Sequence, residues 1–405
     1  MAPLSTDSLD IRIRNALTAW KRLDELDVKI LEALSLLGPR NLTIIAKNLQ
    51  VPTTTVSFRV KRMLSESILF FQVNPYITNM GLKKAFVFAE ATPGLEDVLM
   101  KCLRVNGFWI LLYHIYGPYE GCGGVWGIPK EHVEEFLLFL RILKEVGVAR
   151  SYEVIWSTCF EGIPVKSRWF SVEDGQWVFN WEEWLKEVET IEGELPYTLV
   201  EPDDWPIKVD LVDVLIIKEL EKDGKASMVH ISESLGIPVS TINYHFREHV
   251  LKRELIEGYQ VEIYRFPFPI CELLIFIFEF DSHDKMSKFA LSLLDKPFVI
   301  FIGKALNMNK LVAQIYLPKW EFRKFIHALS TLIRRGVLKQ YRYFIEDMYQ
   351  TDRQTVSYEY FENGKWNYDF KKHREELRKI FKKTGVSTTK NHTNKKSGKI
   401  NAQPL

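Results

Sequence analysis

The chain has 405 residues, is 46% hydrophobic and 26% charged, and carries a net charge of +2, the balance of an ordinary globular protein of about two to four domains. So small a net charge excludes a molecule-wide field for a polyanionic partner, so any contact with nucleic acid has to come from local patches. The four cysteines, Cys102, Cys122, Cys159 and Cys271, have no C-x-x-C spacing, which speaks against a thiolate metal centre and a disulfide framework and fits a reducing cytoplasm.

In chain order, residues 8–22 read as a lead-in helix with Leu9, Ile13 and Leu17 on one side; the stretch has no apolar core of the signal-peptide kind. A helix over Leu23–Leu36 is ended by Gly38-Pro39. The segment Leu42–Leu64 then reads as two short helices around a tight turn. Ile44, Ile45, Ala46 and Leu49 give the first an apolar side, Gln50-Val51-Pro52 breaks it, and Thr53 or Thr54 is expected to cap the second. Val56, Val60 and Leu64 form the apolar edge of that second helix. Its other side carries Thr55, Ser57, Arg59, Lys61 and Arg62, a composition suited to a DNA groove and equally to a plain solvated face. Ile68–Tyr76 alternates as a β-wing would.

The next segment changes rhythm. Strand Ala85–Glu90, helix Leu95–Val105, strands Phe108–Tyr116 and Cys122–Gly127, helix Pro129–Val146 and strand Ala149–Trp156 give the order βαββαβ, the ferredoxin-like unit. Arg168–Asn180 reads as an aromatic hairpin around Asp174-Gly175, followed by a helix over Trp181–Thr190. Trp169, Trp177, Trp181 and Trp184 read as packing rather than a base-stacking platform. The Gly121–Gly124 cluster has no lysine after it and is weak as a phosphate loop.

The chain then repeats. At a shift of 186 residues Asp27 meets Asp213, Gly38 meets Gly224, Leu49 meets Leu235, Pro52 meets Pro238 and Thr55 meets Thr241; at 189 to 190 Phe108 meets Phe298 and Gly147-Val148 meets Gly336-Val337. The second βαββαβ run is Glu272–Phe280, Asp284–Leu294, Phe298–Ala305, Lys310–Leu317, Lys319–Arg335 and Leu338–Glu346. Its hairpin turns at Asn363-Gly364, and a helix covers Phe370–Lys382. The expected fold is α+β, a tandem repeat of winged helix-turn-helix and ferredoxin-like domain, each copy with a C-terminal β-hairpin and helix. The expected units are a lead-in at 1–22, winged helices at 23–80 and 207–266, and ferredoxin-like domains at 81–158 and 267–348. Appendages follow at 159–206, which includes the linker, and at 349–382, with a basic disordered tail at 383–405. The run Leu273–Phe280 is too short to span a bilayer, so no membrane partner is expected.

This layout, with Leu23-Asp24, Asp27, Ile30-Leu31, Ile45-Ala46, Thr55-Val56 and Arg59-Val60 in one copy and Asp213, Ile216-Ile217, Leu235-Gly236-Ile237 and Ser240-Thr241-Ile242 in the other, resembles two Lrp/AsnC (feast/famine) transcriptional regulators in tandem. The resemblance implies a prokaryotic, cytoplasmic protein that binds double-stranded DNA, with no enzymatic activity, metal or cofactor. Its ferredoxin-like domains would form an intrachain pseudo-dimer and homo-oligomers, and would hold a small effector such as an amino acid. The DNA-binding residues it implies are Thr53, Thr54, Thr55, Ser57, Arg59, Lys61 and Arg62, then Ser240, Thr241, Asn243, Tyr244, His245, Arg247 and His249, with more phosphate attraction in the first copy. The effector turn it implies is Gly117, Tyr119 and Glu120; a simple hairpin turn is the plainer reading of those residues. Two other readings stand beside it. One is an enzyme similar to sirohaem decarboxylases, with His114 as its histidine, although Leu112–Tyr116 lacks their His-Asn-Tyr-x-Arg run. The other is an interaction scaffold on the same fold that no longer binds DNA.

Overall fold

The computed structural model describes residues 23–386 apart from 67, 264 and 267. The lead-in helix expected before Leu23 and the tail beyond Val386 lie outside the described residues; of the tail expected from 383, Lys383 and Thr384 instead complete the last helix, which Gly385 ends.

The first copy opens with α1 (Glu25–Leu37), α2 (Leu42–Asn48) and α3 (Thr53–Ser65), followed by the wing β1 (Leu69–Pro75). Asp24 caps α1 in a reciprocal box, its side chain accepting from the Asp27 amide while Asp27 accepts from the Asp24 amide. The cap expected at Thr53 or Thr54 is absent: Pro52 holds the N-cap position with no side-chain bond, and Thr53 is already helical. The ferredoxin-like unit follows as β2 (Leu82–Ala91), α4 (Glu96–Arg104), β3 (Trp109–Tyr116), β4 (Gly121–Pro129), α5 (Val133–Val146) and β5 (Ala149–Ser157). Gly147 ends α5 in the left-handed conformation that a residue without Cβ adopts freely. The appendage comprises β6 (Glu161–Gly162), β7 (Phe170–Ser171), β8 (Gln176–Trp177) and α6 (Trp181–Thr190).

The second copy repeats this order. Its winged helix is α7 (Leu211–Lys222), α8 (Met228–Leu235), α9 (Val239–Tyr244) continued by a π-helical turn over His245–Leu251, and the wing β9 (Ile256–Ile263). Then come β10 (Cys271–Glu279), α10 (His283–Leu293), β11 (Val299–Lys304), β12 (Lys310–Pro318), α11 (Lys319–Arg334), β13 (Gln340–Arg353), the hairpin β14 (Phe361–Glu362) and β15 (Lys365–Trp366), and α12 (Phe370–Thr384). The two hairpins differ. Asn363 and Gly364 both have positive φ and close a two-residue loop. In the first copy only Gly175 has positive φ, and Phe170 pairs with Trp177 across a four-residue loop in which Ser171 and Asp174 bond to each other.

Both ferredoxin-like units contribute to one nine-stranded sheet, in the order β5-β2-β4-β3-β13-β10-β12-β11-β6. The seam is the antiparallel pair β3–β13, made possible because β13 runs on to Arg353, well past the Glu346 at which the sequence suggests a stop. Ser157 also bridges to Ala305, so the far ends of the sheet meet and its inner faces enclose a core. Phe86, Phe88 and Tyr113 from one copy pack there against Ile275, Ile277 and Phe344 from the other. The glycines of β4 serve this closeness rather than a phosphate: a Cβ on Gly123 would lie 2.3 Å from the Tyr113 ring.

The copies also exchange their appendages. Trp184 and Val188 of α6 sit in the core of the second ferredoxin-like unit, and the indole Nε1 of Trp184 donates to Ser292 Oγ at 3.1 Å. Trp366, Leu377 and Phe381 fill the core of the first unit, which is continuous with that of the second winged helix. Trp181 donates to Glu321, and Trp169 and Trp177 are buried beside the first winged helix, so the tryptophan cluster is packing throughout.

Candidate nucleic-acid interface

The wings β1 and β9 pair with each other, antiparallel, from Leu69–Ile263 to Pro75–Ile256. Asn74 Nδ2 donates to Gln260 Oε1 at 3.0 Å across this ribbon, and Gln72 donates to Glu262. The two helix-turn-helix units are thereby held as one pair, with α3 as the outer helix of one and α9 with its π-turn as the outer helix of the other.

On α3 the docked edge is Val56, Val60 and Met63. The exposed face carries Thr53, Thr54, Phe58 and Lys61; Thr55, Ser57, Arg59 and Arg62 are half-buried. On the second copy Ile242, Phe246 and Val250 are docked, Ser240, Tyr244 and Arg247 are exposed, and Thr241, Asn243 and His245 are half-buried. At the shift of 186, Thr54 corresponds to Ser240, Phe58 to Tyr244 and Lys61 to Arg247. All six are exposed, and each copy thus presents a hydroxyl, an aromatic ring and a cation in the same order. Phe58, 68% exposed, is absent from the residues implied by resemblance; its signal was an aromatic on the polar side of a helix, matched by Tyr244 in the repeat.

Electrostatics divide the expected cations. Arg59 donates to Asp24 at 2.7 Å and to Asp27 at 2.9 Å, and Arg62 donates to Asp27 at 2.6 Å, with the Asp27 carboxylate fully buried. Burial alone raises the Asp24 carboxyl, yet the Arg59 hydrogen bond, the Asp27 amide and the Arg59 and Arg62 charges together hold it below the usual carboxylate range. Arg59 and Arg62 therefore brace α3 against α1, and Lys61, exposed and with no carboxylate partner among the described residues, can face a phosphate. The two arginines still line a shallow open depression with Thr54, Thr55 and Phe58.

In the second copy His249 is buried, and its Nδ1 lies 3.0 Å from Asp213 Oδ1, which removes it from the exposed ridge. His245 Nδ1 lies 2.8 Å from the same oxygen. Asn243 turns its amide back to the Val239 carbonyl. The residues expected to read bases as one set are therefore split between a ridge and a bracing cluster. A sequence reading without metals did not anticipate that cluster, although His-x-x-x-His at helical spacing opposite a capping aspartate pair was visible.

The turn at Gly117, Tyr119 and Glu120 lies at the seam. Gly117 adjoins the Tyr343 carbonyl, the Tyr119 ring packs 5.1 Å from Phe344, and Glu120 is exposed with its carbonyl accepting from the Ala91 amide. Burial pushes the Tyr119 hydroxyl up to about 12. His114 is buried in β3 opposite Cys122. No helix among the described residues is long and apolar enough to cross a membrane.

A family model described as winged helix-turn-helix DNA-binding matches residues 209–248. An uncharacterized HTH-type transcriptional regulator of Pyrococcus furiosus is 36% identical over 132 residues, which is 31% of this chain and 87% of that protein. The chain belongs to this regulator family, with the Lrp/AsnC layout. A second HTH-type regulator, from Pyrococcus abyssi, is 33% identical over 73 residues; the match takes in 18% of this chain and spans about half, 49%, of its relative. Among solved structures the sirohaem decarboxylase NirDL is similar at 11% identity and a TM-score of 0.47, covering 89% of this chain and 100% of that one.

Proposed function

We propose that this protein is a sequence-specific, double-stranded-DNA-binding transcriptional regulator whose two unlike ridges read two unlike half-sites. The observation that carries this reading is the matched trio of exposed side chains, Thr54, Phe58 and Lys61 against Ser240, Tyr244 and Arg247, on two helices fixed to each other by their wings. On a helix the first trio falls at i, i+4 and i+7 and makes one face. Hydroxyls accept or donate to base edges, an aromatic ring packs on sugar or a thymine methyl group, and the cation seeks phosphate. Fusing two copies in one chain frees each ridge to diverge, which a homodimer of identical chains does not allow. The seam turn Gly117, Tyr119 and Glu120 is the place where an amino-acid-sized effector would touch both copies at once.

Fluorescence anisotropy on duplex DNA over a salt series tests the reading. Lys61→Ala and Arg247→Ala are each expected to weaken binding and flatten the salt slope by about 1, because each removes one phosphate contact. Slopes and affinities unchanged in both variants would contradict it.

A further inference from the structure

We propose that the second helix-turn-helix holds a divalent transition-metal ion of the zinc class between Asp210, Asp213, His245 and His249. One ligand atom from each of these residues lies within 4.8 Å of all the others. The two imidazoles stand one helical turn apart and both aim Nδ1 at the carboxylates. His245 Nδ1 is 2.8 Å from Asp213 Oδ1 and 3.6 Å from Asp210 Oδ2; His249 Nδ1 is 3.0 Å and 3.6 Å from the same two atoms. A tetrahedral ion with bonds of about 2.0–2.1 Å separates its ligands by about 3.4 Å; the four imidazole–carboxylate separations of 2.8–3.6 Å bracket that value, and the other pairs have to close from no more than 4.8 Å.

The carboxylates are oriented before any ion arrives. Asp210 Oδ1 accepts from the Asp213 amide at 3.0 Å and Asp213 Oδ2 from the Asp210 amide at 3.0 Å; Asp210 Oδ2 and Asp213 Oδ1 face both imidazoles, and His249 Nδ1 is also 3.1 Å from Asp213 Oδ2. The Tyr244 ring lies 5.7 and 5.3 Å from the two imidazoles and covers them. Among the described residues Arg253 stands nearest of the cations, 3.9 Å from Asp213 Oδ2, and its guanidinium also donates to the Lys208 carbonyl at 2.8 Å.

The first copy is an internal control. There the equivalent buried carboxylate, Asp27, is clamped by Arg59 and Arg62, two permanent cations that leave no room for a metal. At the same carboxylate the second copy substitutes His245 and His249. The arginines are three residues apart and the histidines four, and the π-helical turn at His245–Leu251 absorbs the extra residue so that both rings still face Asp213. Unlike a guanidinium, an imidazole carries no permanent charge and offers a lone pair, so a divalent ion can stand beside the two carboxylates where the first copy has two cations. Imidazole donors select zinc-class ions over magnesium or calcium. The site ties the start of α7 to the outer helix of the second copy, and it stands whether or not that helix reads DNA.

The test is calorimetric titration of the chelator-treated full-length protein with zinc ion, alongside visible absorption on adding cobalt(II). The expected result is one zinc per chain and the intense blue spectrum of four-coordinate cobalt. The double variant His245→Arg, His249→Arg, which replaces both imidazoles with permanent cations of the kind that clamp Asp27 in the first copy, is expected to bind at least a hundredfold more weakly with an unchanged circular dichroism spectrum. Should that variant fail to fold, Asp210→Asn keeps a good helix cap while removing one anionic ligand, and is expected to weaken zinc by tenfold or more. Absence of stoichiometric binding by the parent protein overturns the proposal, as does parent-like affinity in a folded variant.

Discussion

Gln50 and Gly236 occupy the same place in the two helix-turn-helix turns, and both adopt the left-handed backbone, with φ of 57° and 66°. A side chain pays about 1 kcal/mol or more for that conformation and glycine pays almost none. Gln50 is exposed and its backbone amide donates to the Lys47 carbonyl, a bond that glycine keeps, so the exchange gives up no buried side-chain contact. Gln50→Gly is therefore expected to raise the stability of the first copy by about 1 kcal/mol, read as a higher denaturant midpoint at unchanged slope. The proline after this turn was legible in the sequence. The backbone need at Gln50 was not, because glutamine carries no conformational signature. Nor did the sequence reveal the fate of Arg59, Arg62 and His249: helix periodicity assigns a residue to a face, but the buried carboxylate that draws those side chains inward comes from another helix.

Among the elements, α6 and α12 illustrate what pattern reading finds and misses. Their spans were visible from periodicity and from the glycine turns before them. Their docking on the opposite copy was not, since a repeat in sequence does not say which copy an appendage covers. Trp184 is the test of that exchange: it is fully buried among Phe289, Phe298 and Phe325 of the second ferredoxin-like unit and bonds Ser292. Trp184→Ala leaves a large cavity and takes the indole donor from Ser292 Oγ, whose own bond to the Phe289 carbonyl remains, and is expected to cost about 3–5 kcal/mol in chemical denaturation. A loss below about 1 kcal/mol would mean that α6 does not hold the second unit. The wings belong here too. Alternation along Ile68–Tyr76 announced a strand, and only the fold showed that its partner is the other wing, which fixes the two outer helices relative to each other.

At the scale of the molecule, the two copies are joined by the β3–β13 seam, the Ser157–Ala305 bridge, the paired wings and the exchanged appendages. Glu346 is buried on the seam strand, its carboxylate accepting from Gln314 Nε2 at 2.7 Å, and burial pushes its pKa up to about 7. A carboxyl with a raised folded-state pKa binds its proton more tightly folded than unfolded, so its penalty grows as pH rises from its ordinary value of 4.5 to about 7. Glu346→Gln removes that penalty. The variant is expected to gain stability over the parent progressively across this window, by up to about 3 kcal/mol at pH 8, and to match it near pH 4; parallel curves would contradict the assignment. A molecule braced in this way presents its ridges in one fixed arrangement, and the most direct measurement is selection of bound duplexes from a random-sequence library, repeated with Thr54→Ala/Lys61→Ala. The expected result is an enriched site with two unlike halves, one of which loses its preference in the variant while the other keeps it. Enrichment of a perfect palindrome, or of no sequence at all, would contradict two divergent ridges reading DNA.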